Sequence, residues 1–329
     1  MATRKDVAQR AGVSVATVTH VLNHSKHVSL ELCTKVEEAV EYYHYTPNLV
    51  ARSLKTKTTY HIAIIVEDIR NPYYADITDG MLEVAGQKGY IVSILAARNI
   101  TREMLKNLIQ RGLDGIFITF TNMDLLLLAQ EVLDHKIPIV GGLNGPCRVT
   151  LNYRQSLNAL ARYLFDMGHR NIGCLYGVGR SSEEAGRCNY LVETLRQLGI
   201  PVQENCLIEG TYPFGTTLRD GYEAMIRLLD RTPEVTAVFA TNDMMAIGAA
   251  KAIREAGLRI PDDISLVGCD DIVFVQSMDP PLTTIRAPQK EIGRRAMYML
   301  LEQIAGRVPE NVTLSTELII RQSSGAARA

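Results

Sequence analysis

The chain has 329 residues, 47% of them hydrophobic and 22% charged, with a formal net charge of −1. That length exceeds one compact core and accommodates two or three domains. Six cysteines (33, 147, 174, 188, 206 and 269) lack metal-type spacing, and no apolar run reaches spanning length, which argues against a disulfide framework and a transmembrane helix. A reduced, soluble, cytoplasmic protein without a signal peptide, a membrane partner, a metal or a cofactor is expected.

Charge is unevenly placed. Residues 1–60 hold eight Lys/Arg against five acids, a net of +3, which leaves −4 for the remainder. Positive charge at one end suits contact with phosphates, although the bias is modest.

The first elements read as a helix-turn-helix. Thr3 is a candidate N-cap, Asp6 favours the first turn, and Val7, Ala8 and Ala11 recur at helical spacing before Gly12. Ser14 is placed to cap a second helix with Val18, Val21 and Leu22 inward. Val15, Ala16, Thr17, Thr19 and His20 then share the opposite face near the helix start, where a recognition helix meets base edges. A third helix is expected over about 29–43, capped by Ser29 and packed through Leu32, Val36 and Ala39. A short segment from Pro47 carries Val50, Ala51 and Leu54 on one side, with Arg52, Lys55 and Lys57 among small polar residues. So short a helix is marginal alone, and Leu54 is a candidate apolar wedge for the minor groove.

From Tyr60 the pattern becomes strand, then helix. Apolar runs at 62–66, 91–95, 115–119 and 137–140, and again at 172–176, 237–240 and 264–268, alternate with amphipathic segments such as 79–89 and 242–257. Parallel sheets covered on both faces follow, in two similar α/β lobes. Ligands in such folds sit beyond the carboxyl ends of the strands. After the first strand, Asn71-Pro72 is a turn signal, and Tyr73 and Tyr74 can offer a flat ring to a sugar or base.

These residues carry a resemblance. Asp6-Val-Ala, Ala11-Gly-Val-Ser, Thr17-Val-Thr-His-Val-Leu-Asn23 and Pro47-Asn-Leu-Val-Ala-Arg-Ser-Leu54 resemble the lactose repressor (LacI/GalR) family of bacterial transcription regulators, and the likeness extends through the chain. It implies an all-α helix-turn-helix headpiece (1–46), a hinge helix and linker (47–59), and a two-lobed, periplasmic-binding-protein-like α/β core with parallel sheets (60–329). The N-lobe would comprise about 60–153 and 286–311, the C-lobe about 156–282 and 314–329, with crossovers near 153–156, 282–286 and 311–314.

On the DNA side the resemblance implies contacts from Thr3, Ser14, Val15, Ala16, Thr17, Thr19, His20, Asn23, Asn48, Ala51, Arg52, Leu54 and Lys55. Val15 and Ala16 would be the main base-reading positions, small and apolar enough to meet thymine methyls. His20 stands where many members have Arg, as in the purine repressor branch.

In the cleft it implies an effector site of Tyr73, Tyr74, Arg187, Tyr212, Asn242 and Asp270. Tyr74 resembles the stacking position and Tyr212 a second wall. Arg187 offers a planar fork to hydroxyls or a carboxylate. Asp243 is expected to cap its helix and Asp271 to be structural. Asn152-Tyr153 departs from the usual Asp-Asn, Ala287 from a frequent Gln, and the 96–101 connection is short.

The resemblance implies a repressor of a carbohydrate-utilisation operon with a neutral polyol as the expected effector, and a purine or nucleoside, as effector or corepressor, as the alternative. Two copies would place two heads on a palindromic operator, and the effector would release it. The 321–329 tail has no leucine heptad, so a homodimer is expected, nucleoid-associated when DNA-bound. An exported sugar-binding protein would lack the head. An enzyme is not expected, because neither the Gly-x-Gly-x-x-Gly nor the Gly-x-x-x-x-Gly-Lys-Ser/Thr phosphate loop is present.

Overall fold

A computed structural model describes residues 2–22, 27–46, 58–119, 137–141, 147–178, 183–212 and 216–328. The chain forms two compact units, Met1–Thr59 and Tyr60–Ala329. No helix among the described residues is long and apolar enough to cross a membrane.

The first unit contains α1 (Arg4–Ala11), α2 (Val15–Leu22) and α3 (Leu30–Tyr42). Thr3 and Asp6 make a reciprocal capping box at the start of α1, which satisfies two amides the helix cannot. Gly12 ends α1 at φ 66°, and its N–H reaches the carbonyls of Ala8 and Gln9. That left-handed backbone is where glycine costs least. Val7, Val18 and Val36, one from each helix, are fully buried together with Ala8, Ala11, Val21 and Ala39. Each valine contributes about 1.5–3 kcal/mol on burial, so this small core depends on few side chains. Ser29 precedes α3 but makes no side-chain capping bond, and Leu32 is only half-buried. The cap expected of Ser29 is therefore not formed, and Leu32 is less buried than Val36 and Ala39.

The second unit opens with β1 (His61–Val66), α4 (Pro72–Gln87), β2 (Ile91–Ala96), α5 (Arg102–Gln110), β3 (Gly115–Ile118), β4 (Ile139–Gly141) and β5 (Val149–Asn152). Strands β2-β1-β3-β4 form a parallel sheet in that order. All six residues of β1 except His61 are buried, as a strand covered on both faces requires. Asn71-Pro72 is not a free turn. Asn71 caps α4 by accepting from the Tyr73 amide, with Pro72 at the first helical position, where its missing N–H costs nothing. The helix therefore begins well before residue 79.

The chain continues with α6 (Arg154–Asp166), β6 (Ile172–Tyr176), α7 (Glu183–Gln197), β7 (Leu207–Glu209), α8 (Leu218–Arg231), β8 (Ala237–Ala240), α9 (Asp243–Glu255), β9 (Ser265–Asp270), β10 (Thr283–Arg286), α10 (Gln289–Ile304), β11 (Val312–Ser315) and β12 (Glu317–Ile319). The second sheet runs β12-β10-β9-β8-β6-β7, parallel except for β12 against β10. Helix α10 returns to the first lobe: Ile292, Ala296, Met297 and Leu300 join the core of Ile62, Ile64 and Met81. Strands β5 and β11 pair with each other in a separate two-stranded ribbon, one leading into α6 and the other into β12. Because β10 is paired along its length with β9, the chain leaves the second sheet only after Arg286.

Among the described residues, each lobe holds a helix pair in backbone contact. A methyl group on Gly80 of α4 would overlap the Lys290 carbonyl of α10, and one on Gly293 would overlap the carbonyl of Ile77. In the second lobe Gly221 of α8 lies against Met245 of α9, and Gly248 against Leu218. Only glycine permits so close an approach.

Candidate functional site

Helix α2 presents the predicted DNA-facing residues of the first unit. Ser14 accepts the Thr17 amide at 3.1 Å and its hydroxyl lies 2.9 Å from that of Thr17. Val15 is 41% exposed, and Ala16 beside it is also exposed. The Thr19 hydroxyl donates back to the Val15 carbonyl at 2.8 Å and accepts from Arg4 at 3.4 Å. His20 is half-buried on the same helix. Thr3 is exposed at the start of α1, its hydroxyl donating to Asp6 at 2.8 Å. Ser14 thus caps α2 through the Thr17 amide, and the positive dipole end of the helix accompanies a surface of small side chains, suited to close approach. Asn23, Asn48, Ala51, Arg52, Leu54 and Lys55 lie outside the described residues.

A second cluster gathers at the carboxyl ends of the strands in the second lobe. Arg187, on the buried side of α7, places its NH1 3.7 Å from the Asp270 carboxylate, 3.3 Å from the Tyr153 hydroxyl and 3.6 Å from the Cys269 sulfur. Its guanidinium carbon stands 5.1 Å from the centre of the Tyr153 ring, in cation–π range. Both Arg187 and Asp270 are more than nine-tenths buried. Burial pushes the Tyr153 phenol well above its ordinary pKa, against the opposing pull of Arg187, so the ring enters the site as a neutral phenol. The Cys269 thiol is raised in the same way and is no nucleophile at neutral pH.

Asp270 ends β9 at φ 122° and Asp271 follows at φ 60°, a conformation that side-chain-bearing residues rarely adopt. Several bonds hold it. Asp271 accepts from Arg286 at 2.7 Å and Arg321 at 2.6 Å. The Asp270 carbonyl accepts from the Ala287 amide at 3.3 Å and from the Gln289 side chain.

The helix-start residues divide differently from the sequence expectation. Asn242, with β-type φ −148°, is the N-cap of α9 and accepts the Met245 amide at 2.8 Å, while its amide donates to Thr216. Asp243 is already helical and does not cap. Its carboxylate accepts from the Ile272 amide at 2.9 Å and the Thr284 hydroxyl at 2.6 Å. Fully buried, Asp243 is pushed up to about 7, chiefly by desolvation.

Of the two adjacent tyrosines, Tyr74 is buried in the first lobe and donates its hydroxyl to Glu67 at 2.8 Å. Tyr73 packs against buried side chains of both lobes, and its ring meets that of Tyr74 edge-on at 5.2 Å. Tyr212 follows β7; its amide is held by the Asp220 carboxylate at 2.9 Å. The Tyr212 phenol lies within electrostatic reach of Arg70 in the first lobe.

The structure therefore brings Arg187 and Asp270 together, with Tyr73 on the lobe junction, and turns Tyr74 and Asn242 largely to local bonds. Tyr153 was missed as a partner of Arg187, and Asp220 and Gln289 as the groups that hold the backbone of Tyr212 and of Asp270. The replacement of Asp-Asn by Asn152-Tyr153 was the available signal for Tyr153: it reads as a lost acid, whereas the structure shows an aromatic seat gained.

Comparison with known proteins agrees with both units. Residues 3–48 match the model of bacterial regulatory proteins of the lacI family, and 161–324 match a periplasmic binding protein-like domain. The HTH-type transcriptional repressor PurR of Pasteurella multocida is 35% identical, covering 98% of each chain. A Lac repressor dimer bound to operator and the anti-inducer ONPF superposes with a TM-score of 0.84 at 28% identity, covering 99% of each chain. The complex of the transcriptional regulator CelR with cellobiose gives 0.73, also at 28% identity, covering 98% of this chain and all of that one. The chain belongs to the lacI family of bacterial regulatory proteins. It is a DNA-binding, ligand-responsive transcriptional repressor, as the sequence reading had it.

Proposed function

We propose that the protein binds a palindromic operator as a homodimer and that its effector is a purine base or nucleoside held at Arg187, Asp270 and Tyr73. The observation that carries the site is the buried Arg187–Asp270 pair at 3.7 Å. A cation and a carboxylate so close offer donors and acceptors side by side, the pattern along the edge of a purine, while a tyrosine ring supplies a stacking face. The purine choice, the alternative rather than the leading expectation from sequence, is favoured by full-length relatives named PurR at 33–35% identity. Effector binding acts through unequal affinity for two lobe arrangements, and so changes operator affinity. The protein acts in the cytoplasm.

A polyol is the second reading, favoured by the likeness to a CelR–cellobiose complex. A thermal-shift panel of adenine, guanine, hypoxanthine, their nucleosides, and mono- and disaccharides decides between the two, since a ligand that binds only the folded state raises the melting temperature. Purine-specific stabilisation that Arg187→Ala abolishes supports the proposal; stabilisation by saccharides alone replaces it with the second reading. Salt-independent binding to duplex DNA, or none, overturns the regulator mechanism itself.

A further inference from the structure

We infer that Gln289 is the positioning residue that ties effector contact at Asp270 to the first lobe. The inference rests on the proposed effector site.

Three observations meet at Asp270. Its carboxylate faces Arg187 across 3.7 Å. Its backbone lies at φ 122°, outside the wells that non-glycine residues occupy, so neighbouring bonds must hold it there. Its carbonyl accepts the side-chain amide of Gln289, the first residue of α10. Asp270 belongs to the second sheet through β9, whereas α10 packs into the first-lobe core. The Gln289 amide therefore spans the lobe junction.

What lies beyond Gln289 completes the path. Helix α10 runs in backbone contact with α4 through Gly80 and Gly293, and the first turn of α4 carries Tyr73. One end of this connected run thus touches the proposed effector from the second lobe, at Asp270, and the other from the first lobe, at Tyr73. An effector that draws the Asp270 carboxylate toward itself rotates the residue about a carbonyl already held by α10, so the shift reaches the first lobe as displacement of a packed helix pair. Gln289 is itself more than nine-tenths buried. A buried amide whose bond is broken carries a desolvation cost, which gives the tether two distinct energetic states. The Ala287 amide reaches the same carbonyl at 3.3 Å, but it belongs to the connecting segment and carries no helix with it.

The test uses the full-length protein and an operator selected from a randomised palindromic pool. Effector affinity is measured by calorimetry with the purine that stabilises the wild type, or with the saccharide if saccharides alone do so. Operator affinity is measured by fluorescence anisotropy with and without that ligand. In wild type the two operator affinities should differ by roughly fivefold or more, a common size for such coupling. Gln289→Met keeps length and apolar packing but removes the donor. Its effector affinity and its ligand-free operator affinity should stay within about threefold of wild type, while the ratio with and without ligand falls toward one. Gln289→Lys, which restores a donor of similar reach, should recover much of the ratio.

A Gln289→Met ratio equal to wild type overturns the tether, as does parallel loss of effector affinity and coupling, which marks a merely structural support. If wild type binds saccharides and no purine, the effector reading fails while the tether is judged on the saccharide. If no ligand alters operator affinity in wild type, both fall.

Discussion

The guanidinium of Arg187 rests against the ring of Tyr153, with NH1 3.3 Å from the phenol oxygen and the guanidinium carbon 5.1 Å from the ring centre. Tyr153 stands immediately after the β5 crossing strand, so the cation that faces the proposed effector is seated on the joint between lobes. The same NH1 lies 3.7 Å from the Asp270 carboxylate, so one guanidinium nitrogen serves both the phenol and the acid.

Tyr153→Phe should keep the ring and remove one acceptor for Arg187. A hydrogen bond of this kind is worth about 1 kcal/mol net, so effector affinity should weaken about fivefold, with the folded state retained. Calorimetric titration measures it, and unchanged affinity would show that the hydroxyl does not orient the guanidinium.

Asp243 gives the protein a signed pH dependence. Its folded-state pKa is raised from 3.8 to about 7 by burial, so the native state holds a proton that the unfolded chain has released. Its contribution to stability is complete below about pH 4 and is lost as pH rises through the folded value, levelling off above it. Relative to Asp243→Asn, the wild type should lose about 1 kcal/mol per pH unit between pH 5 and 7. Urea denaturation of both proteins across that range reads the difference. A constant gap would mean that Asp243 is ionised throughout.

Ser14→Ala removes the acceptor for the Thr17 amide at the start of α2. Loss of an N-cap costs about 1 kcal/mol locally. Amide hydrogen exchange across residues 15–22 should accelerate about fivefold in the full-length variant, while the second unit keeps its melting transition. Equal exchange would assign the capping of α2 to another group.

Much of this architecture was legible because it rests on short-range chemistry. Thr3, Asp6 and Gly12 act through bonds to their own helix, so residue type and spacing sufficed. The apolar runs of β1, β6 and β8 are buried on both faces and read as continuous hydrophobic blocks. Strands β5, β11 and β12 gave no such signal: they are short, lie at edges or in a separate ribbon, and alternate or expose their side chains. Within the site, Arg187 and Asp270 stood out as single residues, but their contact joins positions far apart in the chain. Asn242 was misjudged against Asp243 because either side chain can cap a helix, and only the backbone conformation at 242 decides. Tyr153 and Gln289 escaped because each bonds a partner distant in sequence, Arg187 for one and the Asp270 carbonyl for the other, that no local pattern names.

The glycine contacts within each lobe have a consequence for how this protein can change. Gly80 with Gly293, and Gly221 with Gly248, admit no larger residue without forcing a helix off its neighbour's backbone. Those four positions are closed to sequence drift, whereas Tyr73, Tyr153, Tyr212 and Asn242 sit on strand ends and helix starts outside the contacts. New ligand preferences can therefore arise by exchanging rim side chains one at a time on an unaltered chassis, which makes the strand ends, not the helix pairs, the place to engineer a sensor for a different molecule.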